Sequence, residues 1–216
     1  MPPRPRVRFS SAAHGSFALD QPADVLDATR RSFVDLPWTW LQQVHGPTVV
    51  VVDGPGDRAG ATADAAVTAT PGAALAVYTA DCAPVAFTSD SVVGIAHAGW
   101  RGLVGGVLQA TVAAMRELGA QGIEAHLGPC IRSRCYEFGA ADLEAATVRL
   151  GPNVVASTAW GTQAFDLTAG VRAALAQAHV ATLVDTGVCT ACSPVHYSHR
   201  ARGDAARLAG VVWLEP

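Results

Sequence analysis

The sequence predicts a single α+β domain. Strand-like runs bunch in the first half, helix-like periodicity spreads through the second, and 216 residues, half of them hydrophobic, can bury a core of their own. Residues 48–53 (Thr-Val-Val-Val-Val-Asp) read as a buried strand closed by Gly54-Pro55-Gly56. Short apolar strands follow at 63–68, 74–79, 85–88 and 92–96, separated by Pro-Gly, Cys-Ala-Pro and Ser-Asp breaks. With no helix between them they cannot be βαβ units, so hairpins in an antiparallel or mixed sheet are expected.

The first strong helix comes next. Val104, Val107, Leu108, Thr111, Met115 and Leu118 share one face of a helix that starts near Leu103 and ends near Gly119. Residues 123–127 return as a strand. Helices are expected at 141–150 and 168–178, the second capped by Asp166 or Thr168, with late strands at 181–184 and 211–214. No repeat or low-complexity linker divides the chain, so one domain is expected over residues 1–216.

Composition excludes several function classes. The net charge is −3, without the basic stripe of a nucleic-acid binder. All 15 basic residues are arginine, which removes Schiff-base and P-loop lysine chemistry. The basic start, from Met1 to Arg8, is followed by no apolar stretch of a secretory signal, and the Ala/Val runs are too short and broken for a membrane span. The cytoplasm is therefore the expected location. Five cysteines, an odd number, read as thiols or ligands, or simply as small buried hydrophobes.

Three phrases place a metal-ligating or nucleophilic side chain beside tight-turn residues: Gln43-Val44-His45-Gly46, Ala80-Asp81-Cys82-Ala83-Pro84 and Ala96-His97-Ala98-Gly99-Trp100-Arg101-Gly102. All fall at strand ends, where they can converge on one sheet edge. Two imidazoles and a thiolate suit zinc and leave a fourth tetrahedral position open. From residue types alone the plainer reading of these histidines is partly buried rings hydrogen-bonded to backbone, because separations of 37 and 15 residues carry no motif of their own.

The phrases resemble the signature blocks of the YfiH family, also called laccase-domain or polyphenol-oxidase-like proteins. The blocks run in order as Q-x-H-G at 43–46, D-A-x-V-T at 64–68, A-D-C-x-P at 80–84, A-H-A-G-W-R-G at 96–102, G-P-C-I at 128–131, Y-E-x-G at 136–139, F-D-L at 165–167 and Cys189-Thr190. The resemblance implies a single-domain four-layer α/β/β/α sandwich with mixed sheets, similar in outline to certain cysteine-dependent toxin deamidases. It also implies a metal, usually zinc, on His45, Cys82 and His97.

Family members are credited with phosphorolysis of adenosine, inosine and S-methyl-5′-thioadenosine, and with adenosine deamination. Older naming makes them copper phenol oxidases, and some are named for editing peptidoglycan precursors. The expected partners are a purine nucleoside and phosphate, with no nucleic acid or membrane, in a monomer or homodimer.

Within that reading His45, Cys82, His97 and Asp81 are the catalytic candidates. Asp81 could orient a ligand histidine or accept a proton. The turn at 99–102 runs into a helix, so its free N–H groups could hold phosphate with Arg101 as a forked donor; a surface ion pair is the plainer role for Arg101. Asp64 could meet a sugar hydroxyl or a base nitrogen, or merely cap a turn. The resemblance adds Ser198 and Arg200 to the substrate- and phosphate-binding residues, from a segment with Ala201 in place of a second arginine and Arg202 one step later.

The sequence departs from the family pattern near Ser10-Ser11-Ala12-Ala13-His14-Gly15, where an expected arginine is missing and His14 is the nearest substitute. Cys189-x-x-Cys192 followed by His196 reads as a thiol pair ahead of a second metal site, and Cys130 and Cys135 carry no assigned role. Copper oxidase chemistry fits poorly, since seven histidines include no His-x-His pair and the sole internal methionine, Met115, lies in a helix. A metal-free alternative makes Cys82 a nucleophile with His97 as its base, giving a thiol hydrolase or deamidase.

Overall fold

Along the strand Ala74–Thr79 the side chains part to two sides, and that alternation sets the layers. Leu75 and Val77 enter a core shared with Ala86, Val93, Ile95 and Val212, while Ala74, Ala76 and Tyr78 pack beneath a helix carrying Leu26 and Phe33. A computed structural model describes residues 3–216; of the expected domain, Met1 and Pro2 lie outside the described residues.

In chain order the elements are β1 (Pro5–Phe9), α1 (Ala23–Phe33), β2 (Trp38–Gln42), β3 (Val49–Val51), β4 (Ala61–Thr62), β5 (Ala65–Thr68), β6 (Ala74–Thr79), β7 (Ala83–Thr88) and β8 (Val93–Ala98). Then come α2 (Trp100–Gly105), α3 (Val107–Glu117), β9 (Glu124–Leu127), α4 (Ala140–Leu150), β10 (Val155–Ser157), β11 (Gln163–Phe165), α5 (Leu167–Gln177), β12 (Thr182–Asp185), α6 (His199–Arg202) and β13 (Leu208–Leu214). One sheet has the order β1-β13-β6-β2-β4, the other β12-β9-β7-β8-β5-β3, and β10 and β11 form a small ribbon. Both large sheets mix parallel and antiparallel pairs.

The two sheets face each other across an apolar layer. Helix α1 covers the outer side of the first, and α2 to α5 supply a larger core on the second, built on Phe87, Leu103, Leu108, Val112, Met115 and Phe165. This is the α/β/β/α sandwich. Each large apolar side chain withdrawn from water contributes about 1.5–3 kcal/mol. Phe17 also stacks on Trp38, ring centroids 5.6 Å apart.

The hairpin expectation holds for β7 and β8, which pair along their whole length. It fails for β6, which lies in the opposite sheet between β13 and β2. The single helix expected over 104–118 is two. Gly106 takes φ +87, a left-handed conformation open to glycine without steric cost, and the break ends α2 and starts α3. Helix α5 starts as expected, with the Asp166 carboxylate accepting the Ala169 amide at 2.8 Å.

The topology also decides where chemistry collects. Strands β4, β2 and β6 are parallel neighbours, so their C-terminal ends share one rim of the first sheet. At that rim each chain segment crosses to the second sheet: β2 leads to β3, β4 to β5 and β6 to β7. His45 lies in the first crossing, Asp64 in the second, Asp81 and Cys82 in the third.

Candidate metal centre

His97 continues the Val93–Ile95 face of β8, so its ring points between the sheets at the rim reached by the three crossings. It is 3% exposed. Its Nδ1 stands 2.8 Å from Oδ1 of Asp64, a carboxylate with no exposure at all. An ionised carboxylate only accepts, so one proton sits on Nδ1, and Nε2 is the ring atom that a metal would take in place of a proton.

Asp64 also gathers the loop that carries His45. Its oxygens accept the amides of Val44 at 3.0 Å, His45 at 2.9 Å and Gly46 at 2.8 Å. This cradle holds His45 at φ +60, a conformation that a non-glycine residue keeps only when its surroundings fix it. Burial pushes the Asp64 carboxyl up, but the hydrogen bonds from His97, Gly46 and Val44 outweigh it and the group lies below its ordinary range.

Cys82 completes the set. Its Sγ lies 3.9 Å from Nε2 of His45, and the ligand atoms of His45, Cys82 and His97 all fall within 4.8 Å of one another. Burial raises the Cys82 thiol, yet the charge of His97 and hydrogen bonds from both histidines overcome this and leave it at about 6. For His97 burial acts downward, and the Cys82 thiolate with Asp64 raises it to about 9. Gly99 must be glycine for space: a Cβ there would lie 2.9 Å from Cδ2 of His45 and 3.1 Å from Sγ of Cys82. Two imidazole nitrogens and a thiolate, one ring oriented by a buried carboxylate, match the donor chemistry of a three-ligand zinc site with an open position.

The other sequence candidates are placed differently. Asp81, expected to orient a histidine or take a proton, instead anchors the third crossing. Its carboxylate accepts Thr190 Oγ1 at 2.6 Å, Ser198 Oγ at 2.7 Å and the Arg200 amide at 2.6 Å, which holds the residue at φ +100. Ser198 is thereby fully buried and spent on Asp81 and the Ala201 amide, not open to substrate. Asp64, expected at a sugar or base, has no open face and serves the ligands.

Arg200 donates from Nη1 to the Glu137 carbonyl at 2.8 Å and sits over the Tyr136 ring, while exposed Arg101 lies over the Trp100 ring at 4.5 Å. Neither arginine lines the cleft walled by Tyr78 and Arg207, but the charges of both act on the Tyr136 hydroxyl, which also feels Cys82. Arg202 braces the carbonyls of Ala191, Thr190 and His196. His14 packs edge-on against Phe33.

His45, Cys82 and His97 border a cleft of about 580 Å³, whose walls include Leu41, Tyr78, Thr79, His199 and Arg207. Sequence reasoning missed the last three. Pairing of β13 with β6 sets Leu208 opposite Thr79, so Arg207 arrives one residue before that register, beside the rim. Its Nη1 donates to the carbonyls of Asp204, Ala205 and Ala206. The Thr79 hydroxyl is buried without a hydrogen-bond partner among the described residues. No local sequence signal marks either one; only the strand register brings them together.

Residues 6–215 match the family described as multi-copper polyphenol oxidoreductase laccase. The chain is 47% identical over 182 residues to a purine nucleoside phosphorylase of Streptomyces coelicolor, covering 82% of this chain and 74% of that one. It is 39% identical over 217 residues to a purine nucleoside phosphorylase of Mycobacterium tuberculosis, covering 96% and 86%. Among solved structures it resembles a Neisseria meningitidis protein of the DUF152 family, at TM-score 0.86 and 27% identity over 100% and 97% of the two chains. It likewise resembles YlmD from Geobacillus stearothermophilus, at TM-score 0.86 and 25% identity over 98% and 92%.

Proposed function

This chain belongs to the multi-copper polyphenol oxidoreductase laccase family, and on that premise, with relatives named purine nucleoside phosphorylases, we propose that it is a metal-dependent purine nucleoside phosphorylase. The proposed substrates are adenosine, inosine and S-methyl-5′-thioadenosine, with adenosine deamination as a side activity. The observation that carries the reading is the Asp64-ordered set of His45, Cys82 and His97 bordering a nucleoside-sized cleft. Zinc held there would supply Lewis-acid polarisation of an oxygen nucleophile.

The chain's own residues do the rest. Leu41 and Leu19 offer the base an apolar wall, Thr79 presents an unspent hydroxyl, and Arg207 brings a cation to a cleft that phosphate must enter. In the reaction a phosphate oxygen bonds to the ribose C1′ as the bond from C1′ to the purine nitrogen breaks, and the base leaves with that electron pair and gains a proton. His199, exposed at the cleft, is placed to handle that proton.

A second reading has its own observation. Asp64, His97 and Cys82 stand in the order carboxylate, imidazole, thiolate, the arrangement of a thiol hydrolase or deamidase. A copper oxidase is favoured less, because Met115 is buried in the helical core against Gly94 and no His-x-His pair exists.

One assay separates these. Release of free base is measured with and without phosphate, on protein of known metal content, beside Cys82→Ala and His97→Ala. Phosphate-dependent release lost in both variants is expected; release indifferent to phosphate removes the phosphorylase reading.

A further inference from the structure

Strands β9 and β12 are parallel neighbours, so the loops that follow them run side by side. Cys130 and Cys189 bridge these loops through the Cys130 amide to the Val188 carbonyl and the Thr190 amide to the Cys130 carbonyl. The first loop then turns through Ser133–Cys135, and the second through Cys189-Thr190-Ala191-Cys192. Two stretches 57 residues apart thus bring Sγ of Cys135 to 3.2 Å from Sγ of Cys192, with Sγ of Cys189 within 4.8 Å of both.

The Cys189 turn is shaped as a metal knuckle. The Cys189-x-x-Cys192 spacing puts both sulfurs within 4.8 Å of each other and of Cys135, and as thiolates such sulfurs ligate metal. Arg202 holds the knuckle from outside through the carbonyls of Ala191 and Thr190, and the Ser193 amide closes it onto the Cys189 carbonyl at 3.0 Å. The neighbouring Arg132, from the first loop, pairs with Asp185 at 2.6 Å and bonds to the Val188 carbonyl, which ties the two loops together beside the cluster. Thiolates bound tetrahedrally to zinc at about 2.3 Å stand about 3.8 Å from each other. That spacing falls between the closest sulfur pair and the limit of the trio.

We propose that Cys135, Cys189 and Cys192 form a second metal site, selective for a thiophilic divalent ion such as zinc, with its fourth position open to solvent beside exposed Cys192. The site is separate from His45, Cys82 and His97 and has a structural task. It ties the loop after β9 to the segment bearing Thr190 and Ser198, the two hydroxyls that hold Asp81 at the third crossing.

The test is zinc content of the full chain, by elemental mass spectrometry, with thiol mapping by N-ethylmaleimide. Two zinc ions per chain are expected, one remaining in Cys192→Ser and one in His97→Ala. In zinc-loaded wild-type protein Cys135, Cys189 and Cys192 resist alkylation, and a chelator exposes them. Equal zinc content in wild type, Cys192→Ser and Cys189→Ser overturns the proposal. So does rapid alkylation of all three thiols in zinc-loaded wild type, a readout that needs no variant. A disulfide joining Cys135 to Cys192 in protein purified under reducing conditions overturns it as well. A loss confined to His97→Ala leaves the cysteine variants equal to wild type and overturns the proposal in the same way.

Discussion

Asp64 lies 2.8 Å from the His97 ring and accepts the His45 amide at 2.9 Å, so one buried carboxylate sets two of the three candidate metal ligands. Asp64→Asn keeps the shape but loses part of this acceptor capacity, and an amide nitrogen facing Nδ1 favours the wrong tautomer. Metal affinity and turnover are expected to fall about 10–100-fold, measured by competition with a chromophoric chelator beside the base-release assay.

Gly99→Ala tests geometry without chemistry. Gly99 sits at φ −71, which alanine adopts freely, and the atoms nearest the added methyl belong to His45 and Cys82. A loss of about tenfold or more in activity is expected, with little change in melting temperature. Equal losses in both would show that the methyl disrupts packing at large.

The cleft arginine is expected to act on phosphate. Arg207→Gln should raise KM for phosphate by about 10–100-fold, the worth of a charge-assisted hydrogen bond. KM for the nucleoside should move much less. Thr79→Val, which removes a hydroxyl that has no partner, should leave the fold as stable or more so while weakening nucleoside binding.

In metal-free protein the alkylation rate of Cys82 should climb as pH rises through about 6, well below an ordinary thiol. Removing its main charge partner in His97→Ala should move that midpoint upward. Zinc should suppress the reaction at neutral pH, where the thiolate binds it, and this protection, not the low midpoint, separates a ligand from a nucleophile.

Acid should weaken the fold partly through Asp185. Burial raises its carboxyl, but the two-pronged contact with Arg132 prevails and holds it below the ordinary range. A carboxyl depressed in the folded state stabilises fully above its unfolded value of about 3.9 and loses that contribution as pH falls through the folded value. Urea unfolding between pH 7 and 3 should show a loss of up to about 1 kcal/mol, the most one carboxyl can lose one unit below its unfolded value, that is missing in Asp185→Asn.

Much of this architecture could be read from residue order. The apolar runs of β5 to β8 and the face of α3 are dense enough to announce themselves, and the three ligand phrases stand at strand ends, as read. Helix α1 went unread although its polar and apolar residues segregate to two sides, because only Leu26 and Phe33 of its eleven residues are buried and Pro22 offers no capping side chain. The roles of Asp64 and Asp81 were exchanged for a reason of topology. Adjacency to Cys82 suggested Asp81, whereas the parallel crossings bring the distant Asp64 onto His97. Arg207 was invisible because its place comes from the pairing of β13 with β6.

His97 belongs to one sheet, while His45 and Cys82 stand where strands leave the other, so an ion gripped by all three would rivet the two halves of the sandwich at a single edge. Sliding one sheet over the other would then pull the ligands apart before it disturbed the apolar layer between them. Loss of the ion should loosen that edge first, and amide exchange there should quicken while the opposite end stays protected.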